Sequence, residues 1–404
     1  MNSGKILFRV LLAGSIVLSP IHSRLLAQSE TTNPLEIGID TSDPVIPLGY
    51  KKRELSTFEI NRIKREMDRL DLSAKKELKQ GKVARAFKLW YRQLKLARAV
   101  SIQAEIEALG KVGAIAWQEN QGQDLRNIAN RLTAIESKIG IDKLSSEQLK
   151  QLSDAYQQVR YLDRAIAIYE QILANNKQQG SLAALKSSQE TLGELYLANF
   201  NYQKAANTYQ KLLEKALIKS PTDKEIGFYQ QTLGDIYDRT GQTKQALEIK
   251  TALIKTYKAT GKLERLAPLE LSLARDYKTV KQTKAAIESY NRAFKLASEN
   301  EQLAVANDAL SGLGELYQQK GETEKAIATL TELLKIQRQS YNDYGLINTY
   351  SKLGRIHLKS AQKQRAKLYF QQALELAREL DYNVDYFNDQ IEKLQSFQIK
   401  IRRC

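Results

Sequence analysis

The chain has 404 residues, 27% of them charged and 42% hydrophobic, the composition of a soluble protein with enough apolar material for a sizeable core. Its 62 Lys and Arg against 46 Asp and Glu give a formal net charge of +16. One cysteine, Cys404, and two histidines, His22 and His357, exclude internal disulfides, thiolate metal cages and chemistry that needs several imidazoles.

Lys5 and Arg9 precede an apolar run over residues 10–18, Pro20 and the small Ala27. A positive end, a short greasy core and a small residue are the order of a secretory signal, with cleavage after Ala27. The run is too short to span a bilayer as a helix, which takes about 20 residues. Leu25 is an imperfect fit to the cleavage site, so an uncleaved anchor is the alternative; no cysteine follows, which excludes a lipoprotein. Removing Lys5, Arg9 and Arg24 from +16 leaves +13. The expected product is exported to a periplasm or equivalent envelope compartment, peripheral to a membrane. Residues 28–55 hold Pro34, Pro44 and Pro47 among Ser, Thr and Asp, and this predicts a disordered leader.

From about residue 56 the texture is helical and periodic. Pro221 and Pro268 are the only prolines beyond residue 47, which predicts one continuous array without an internal linker. LGELY at 192–196 recurs as LGDIY at 233–237 and LGELY at 313–317, with weaker copies at 152–156, 273–277 and 353–357. The leucines are 40 or 41 residues apart. After each leucine comes a small residue (Ser153, Gly193, Gly234, Ala274, Gly314, Gly354). Twelve residues further stands an alanine, Ala165, Ala205, Ala246, Ala286, Ala326 or Ala366. Four residues on again the position is bulky, Tyr169, Tyr209, Tyr290, Leu330 or Phe370, with Lys250 as the exception. Gly113 with Leu125, and Ala74 with Ala86 and Trp90, mark two degenerate copies upstream, making about eight over residues 56–383. Two antiparallel helices approach most closely where both present small side chains, and the tyrosine one turn on, Tyr156 to Tyr317, fills the wider end. Gly81, Gly241 and Gly321 suit the turn between the two helices. His357 stands in that tyrosine slot and reads as a packing residue. Residues 384–404, with Phe387, Ile391, Leu394 and Phe397 at helical spacing, read as a capping helix and basic tail.

These residues resemble the tetratricopeptide repeat, whose signature places a small residue, an aromatic, an alanine and another aromatic at these offsets. The resemblance implies an all-α, right-handed superhelical solenoid of about eight helical hairpins that binds a protein or peptide in its concave groove. The period exceeds the usual 34 residues, adding about 9 Å of helix shared between two arms. HEAT and armadillo repeats have a similar period but give no reason for Gly, Tyr and Ala at these offsets. A signal followed by an uninterrupted array also resembles exported tetratricopeptide proteins of cyanobacteria. One group of these assists photosystem II assembly by binding a reaction-centre precursor and manganese.

Two surfaces are candidates for function. Residues 51–100 carry 16 bases against 6 acids, with Lys64, Arg65, Lys75, Lys76, Lys79 and Lys82 on the first hairpin. They fit a membrane surface or an acidic partner, or simply a solvated polar cap. In the tetratricopeptide fold the residue after the small one faces the groove; here these are Asp154, Glu194, Asp235, Arg275, Glu315 and Arg355. Glu190 and Asp238 lie a turn away. The acids suit a basic segment, or a hard cation such as calcium or manganese on Asp154, Glu194 and Asp235, or are a solvated face. Trp117, Leu197 and Leu358 are apolar slots, with a core role the simpler expectation for Trp117. Acids occupy the slots where a carboxylate clamp would need Asn and Lys. No phosphate loop, nucleophile elbow or zinc helix is present, so no enzyme and no cofactor is expected, and an exported chain disfavours nucleic acid. The main alternative is a passive component of an envelope complex, held through Cys404 or the convex face.

Overall fold

A computed structural model describes residues 33–218 and 223–401, so the expected export signal and Cys404 lie outside the described residues. Among these residues there are seventeen α-helices and no strand. No described helix is long and apolar enough to cross a membrane. The helices fall into two compact units, one ending at Gly140 and one beginning at Ile141. Most helices are joined by turns of about three residues; six separate the helices at this division, where Gly140 has φ +78°, and six also lie between Ala259 and Leu266 inside the second unit.

The first unit holds α1 (Thr57–Lys79), α2 (Val83–Val100), α3 (Ile102–Gln118) and α4 (Gly122–Ile139). Ser56 caps α1 by accepting from the Glu59 amide while Glu59 accepts from the Ser56 amide, so two helix-end donors are satisfied together. Trp90 fills the bulky slot with no exposed surface and donates its indole N–H to Asp71 at 3.0 Å. The proline-rich leader is not disordered from Asn33 onward. Leu35 and Ile46 are buried, and Ile46 packs with Ile63, Leu70 and Leu96. Arg98 donates to the Leu35 carbonyl at 2.6 Å, Arg62 to that of Val45 at 2.8 Å, and Asn33 to that of Asn127 at 3.0 Å. Composition alone made the segment too polar to order itself; partners on α1, α2 and α4 supply what it lacks.

The second unit contains six helix pairs: α5 (Ser146–Gln158) with α6 (Leu162–Gln178), α7 (Leu182–Ala198) with α8 (Tyr202–Ile218), α9 (Asp223–Arg239) with α10 (Thr243–Ala259), α11 (Leu266–Thr279) with α12 (Thr283–Glu299), α13 (Leu303–Gln319) with α14 (Thr323–Gln339), and α15 (Asp343–Lys359) with α16 (Lys363–Glu379). The helix α17 (Val384–Ile401) follows and buries Phe387, Ile391 and Leu394 in the last apolar cluster. From α12 to α16 every helix has 17 residues, so both arms of the 40-residue repeat are equally long. Consecutive helices pack on each other, and α11 also touches α13, so first helices of neighbouring pairs share a layer there.

The slot pattern has a steric cause. Ser153 Oγ donates to the Ala165 carbonyl at 3.1 Å, an approach that only small residues permit. A Cβ added to Gly193 would lie 2.9 Å from the Tyr209 ring, and one on Gly354 would lie 2.8 Å from Phe370. The glycine therefore makes room for the ring one turn beyond the alanine as well as for the alanine. His357 is buried, stacked on Tyr369 with ring centres 5.3 Å apart, as its slot demands. Gly241 and Gly321 turn the chain at φ +67° and +71°, while Arg160, Phe200, Lys281 and Ala361 take the same left-handed conformation without glycine. The backbone bond that closes the turn explains why they accept it. In the last pair the Gln362 amide donates to the His357 carbonyl, five residues back, at 2.8 Å.

Two substitutions in one hairpin should therefore move stability in opposite directions. Gly354→Ala forces the helices apart against a buried ring at about 1–3 kcal/mol, more than the about 1 kcal/mol alanine gains in a helix. Ala361→Gly removes left-handed strain and should stabilise by up to about 1 kcal/mol. Urea midpoints measure both, and a raised midpoint for Gly354→Ala would refute close approach as the organising contact.

Candidate functional site

The site is built on the first helices of the second unit. Asp154 lies on α5, Glu190, Glu194 and Leu197 on α7, Asp235 and Asp238 on α9, and Glu315 on α13. Side-chain bonds tie these helices edge to edge. Tyr229 of α9 donates to Glu190 of α7 at 2.5 Å, Lys278 of α11 reaches Glu315 of α13 at 2.9 Å, and Lys352 of α15 reaches the same carboxylate at 3.5 Å. The α11–α13 contact thus continues as one layer of first helices through these pairs.

The expected acids separate into two groups. Asp238 is not an open groove acid: the Lys250 ammonium donates to it at 2.5 Å and to Asp276 and Ser272 at 2.7 Å. Glu315 is likewise neutralised. Burial pushes its pKa up, but the hydrogen bond and charge of Lys278, with Lys352, outweigh that and hold it below the usual carboxylate range. Glu190 is engaged by the Tyr229 hydroxyl. Asp154, Glu194 and Asp235 have no ion pair among the described residues, although Asp154 accepts a weak bond from Gln157 at 3.3 Å.

Each of these three carboxyls is held above its ordinary pKa. For Asp154 the cause is burial, for Glu194 burial and then the charge of Glu190, and for Asp235 burial and then Asp238. Glu194 and Asp235 are open to water on one side, yet protein surrounds them on the others, as expected on a floor between helices. That floor is tyrosine. Burial raises Tyr169 to about 12, with the charges of Asp154 and Glu194 adding to it, and raises Tyr209 further, with Glu194 and Glu190 adding. Asp154, Glu194 and Glu190 therefore share neighbouring rings. Among the described residues there is no group of three or more His, Cys, Asp or Glu that could hold a metal ion.

Beyond Asp235 the layer changes character. Arg275 pairs with Asp308 at 2.7 Å, beside a cleft of about 580 Å³ lined also by Lys278, Tyr290 and Glu315. Opposite charges cancel there. Leu197 is half-buried, whereas Trp117 belongs to the first unit and is 52% exposed, against the core role expected for it. Lys250 is the residue whose role the repeat pattern missed. It occupies a ring slot, is buried, and links α9, α10 and α11. Its lysine in an aromatic slot, twelve residues after an aspartate, was the available signal.

The basic candidates all lie on α1 or the turn after it and are exposed. Lys75 pairs with Asp71 at 2.6 Å and Lys82 approaches Glu77 at 3.9 Å, whereas Lys64, Arg65, Lys76 and Lys79 have no ion pair among the described residues.

An all-α array of helix pairs, each with a small residue opposite an alanine and, in four of the six pairs of the second unit, an aromatic ring, defines a repeat protein. Residues 305–379, within α13 to α16, match the family model described as Tetratricopeptide repeat. No curated protein matches the chain. Solved structures similar to it include a signal-transduction ATPase with numerous domains from Pyrococcus horikoshii that carries a tetratricopeptide repeat sensor (17% identity, 84% of this chain, 52% of that one, TM-score 0.44). Two others are BtubC from P. vanneervenii (19%, 55% and 92%, 0.39) and a kinesin light chain with nearly identical repeats from Podospora anserina (20%, 48% and 95%, 0.37). This chain spans about half the length of the ATPase. The weaker likeness to photosystem II assembly factors finds no support in these matches.

Lys250→Ala leaves the partly buried Asp276 without its cation and should cost about 1–3 kcal/mol, much of which the second substitution Asp276→Asn restores. Thermal or urea unfolding of the single and double variants measures this. Equal loss in both would mean that Lys250 acts through its packing alone.

Proposed function

We propose that this chain is a non-catalytic binding scaffold that holds a basic, extended segment of a partner protein along α5, α7 and α9. The observation that carries the reading is the run of Asp154, Glu194 and Asp235, three partly desolvated carboxylates without ion pairs on consecutive first helices, while the acids around them are already satisfied. At ~10 Å in water like charges repel by only about 0.4 kcal/mol, so the run is tolerable alone, but incomplete desolvation leaves a gain for any cation that docks. Tetratricopeptide repeats are generally non-enzymatic and bind proteins. A cyanobacterial-type export pathway and a cation cargo are not needed for this reading.

A fluorescent Lys/Arg-rich peptide titrated into the full chain tests it. The variant Asp154→Asn/Glu194→Gln/Asp235→Asn should weaken binding by about tenfold, at about 0.5 kcal/mol for each of three half-exposed pairs, and added salt should weaken it too. Unchanged affinity in the variant would end the proposal.

The same carboxyls dictate a pH dependence. Their folded pKa values lie above the unfolded ones, so the folded state binds more protons and these groups lose stability as pH rises through that window. The triple amide variant should therefore melt higher than the parent at pH 7, and the difference should vanish below the unfolded carboxylate values. A variant that melts lower at pH 7 would show that the charges are compensated.

A further inference from the structure

The outer face of α1 carries what a terminal cap should not. Phe58 is 70% exposed and Leu72 69% exposed, while Ile63, Leu70 and Ala74 form the opposite, buried side. Phe58, Arg65, Leu72 and Lys79 follow one another at seven-residue steps, so they form one stripe in which apolar and cationic side chains alternate, with Lys76 beside it. Phe58 and Leu72 are about 21 Å apart along the helix. Most acids of α1 are already held: Glu59 by Arg53, Glu66 by Arg69, Asp71 by Lys75, and Glu77 by Lys82, leaving Asp68 without an ion pair among the described residues. Arg65, Lys76 and Lys79 keep their charge available.

We infer that this face docks on an anionic lipid surface, with α1 lying in the plane of the headgroups, Phe58 and Leu72 entering the acyl boundary, and Arg65, Lys76 and Lys79 on the phosphates. Charge complementarity selects the occupant. A second copy of the chain would bring the same cations against each other. A protein partner would want a recess for its anchors, and the first unit's cleft of about 750 Å³, between residues 34–44 and α2, has none of these residues in its lining. A low-relief stripe with long basic side chains matches a headgroup layer, where the chains reach phosphates while the apolar side chains insert. This docking is independent of what the groove holds.

The test is co-sedimentation of the full chain with vesicles of phosphatidylcholine alone or mixed with phosphatidylglycerol. Whatever the apolar residues 10–18 contribute is common to every arm. The parent should partition more strongly onto the anionic vesicles. Arg65→Gln/Lys76→Gln/Lys79→Gln should lower that partitioning by about a hundredfold at low salt, at roughly one base's worth of attraction each. Phe58→Ser/Leu72→Ser should lower it by about tenfold or more. All these residues are exposed, so circular dichroism should show both variants folded. Equal partitioning onto the two vesicle types, or variants that partition like the parent, overturns the inference. So does a parent dimer that Phe58→Ser/Leu72→Ser dissolves without changing vesicle binding, or soluble polyglutamate bound as well as vesicles and insensitive to that variant.

Discussion

The whole second unit depends on one steric condition: within each pair, a side chain no larger than serine must face the partner helix. Where that residue is Ser153, its hydroxyl reaches a main-chain carbonyl of the other helix. Where it is Gly193 or Gly354, a ring occupies the space a methyl group would need. Dispersion falls off steeply with separation, so this approach makes the alanine and the ring effective packing partners. It also fixes rotation about the helix axis. Once the small residue faces inward, the next residue along the chain is turned away from the partner helix, which is why Asp154, Glu194 and Asp235 occupy equivalent positions although nothing in their own chemistry aligns them.

Because repeat arrays draw their stability from units and adjacent interfaces, a local electrostatic cost in one pair is spread over its neighbours. The second unit shows both ways of handling such a cost. Around Lys250 a cation replaces the bulky apolar side chain of the other pairs, and two aspartates and a serine close about it, so a polar knot connects three helices where Tyr169, Tyr209, Tyr290, Leu330 or Phe370 stands elsewhere. At Asp154, Glu194 and Asp235 no such closure exists, and burial acts on the carboxyls unopposed by a paired cation. The two arrangements adjoin at Asp235 and Asp238, three residues apart on α9, one left open and one clamped.

Repeat geometry was legible in the sequence because its signal is steric and recurs: small, aromatic, alanine, aromatic, each at fixed offset. His357 could be placed by slot alone. Electrostatic roles were less legible, because they depend on which cation a later helix delivers. Asp238 depends on Lys250, twelve residues on, and Glu315 on Lys278 and Lys352, each 37 residues away. The leader failed for the same reason in reverse. Judged by its own residues it cannot order, yet Asp43 is bound by Arg92 at 2.8 Å, and the Arg92 guanidinium holds its carboxyl below the ordinary range.

That contact changes how the excess positive charge of the first hairpin is distributed. Arg92 is engaged by Asp43 and Glu66, and Arg98 by buried Glu105, which also receives Arg131 at 2.7 Å. A carboxylate with almost no exposed surface is tolerable there because two guanidinium groups satisfy its oxygens, and one of them also fixes the leader through Leu35. The cations Arg92 and Arg98 of α2 are thus spent inside the unit, on folding. Those of α1 that point away from the buried side, Arg65, Lys76 and Lys79, have no such employment, so the surplus read from composition becomes a charge with a definite direction. A polar cap requires only solvation and would be served by any mixture of signs; the leader instead brings its acids to the α2 side and leaves the α1 side cationic.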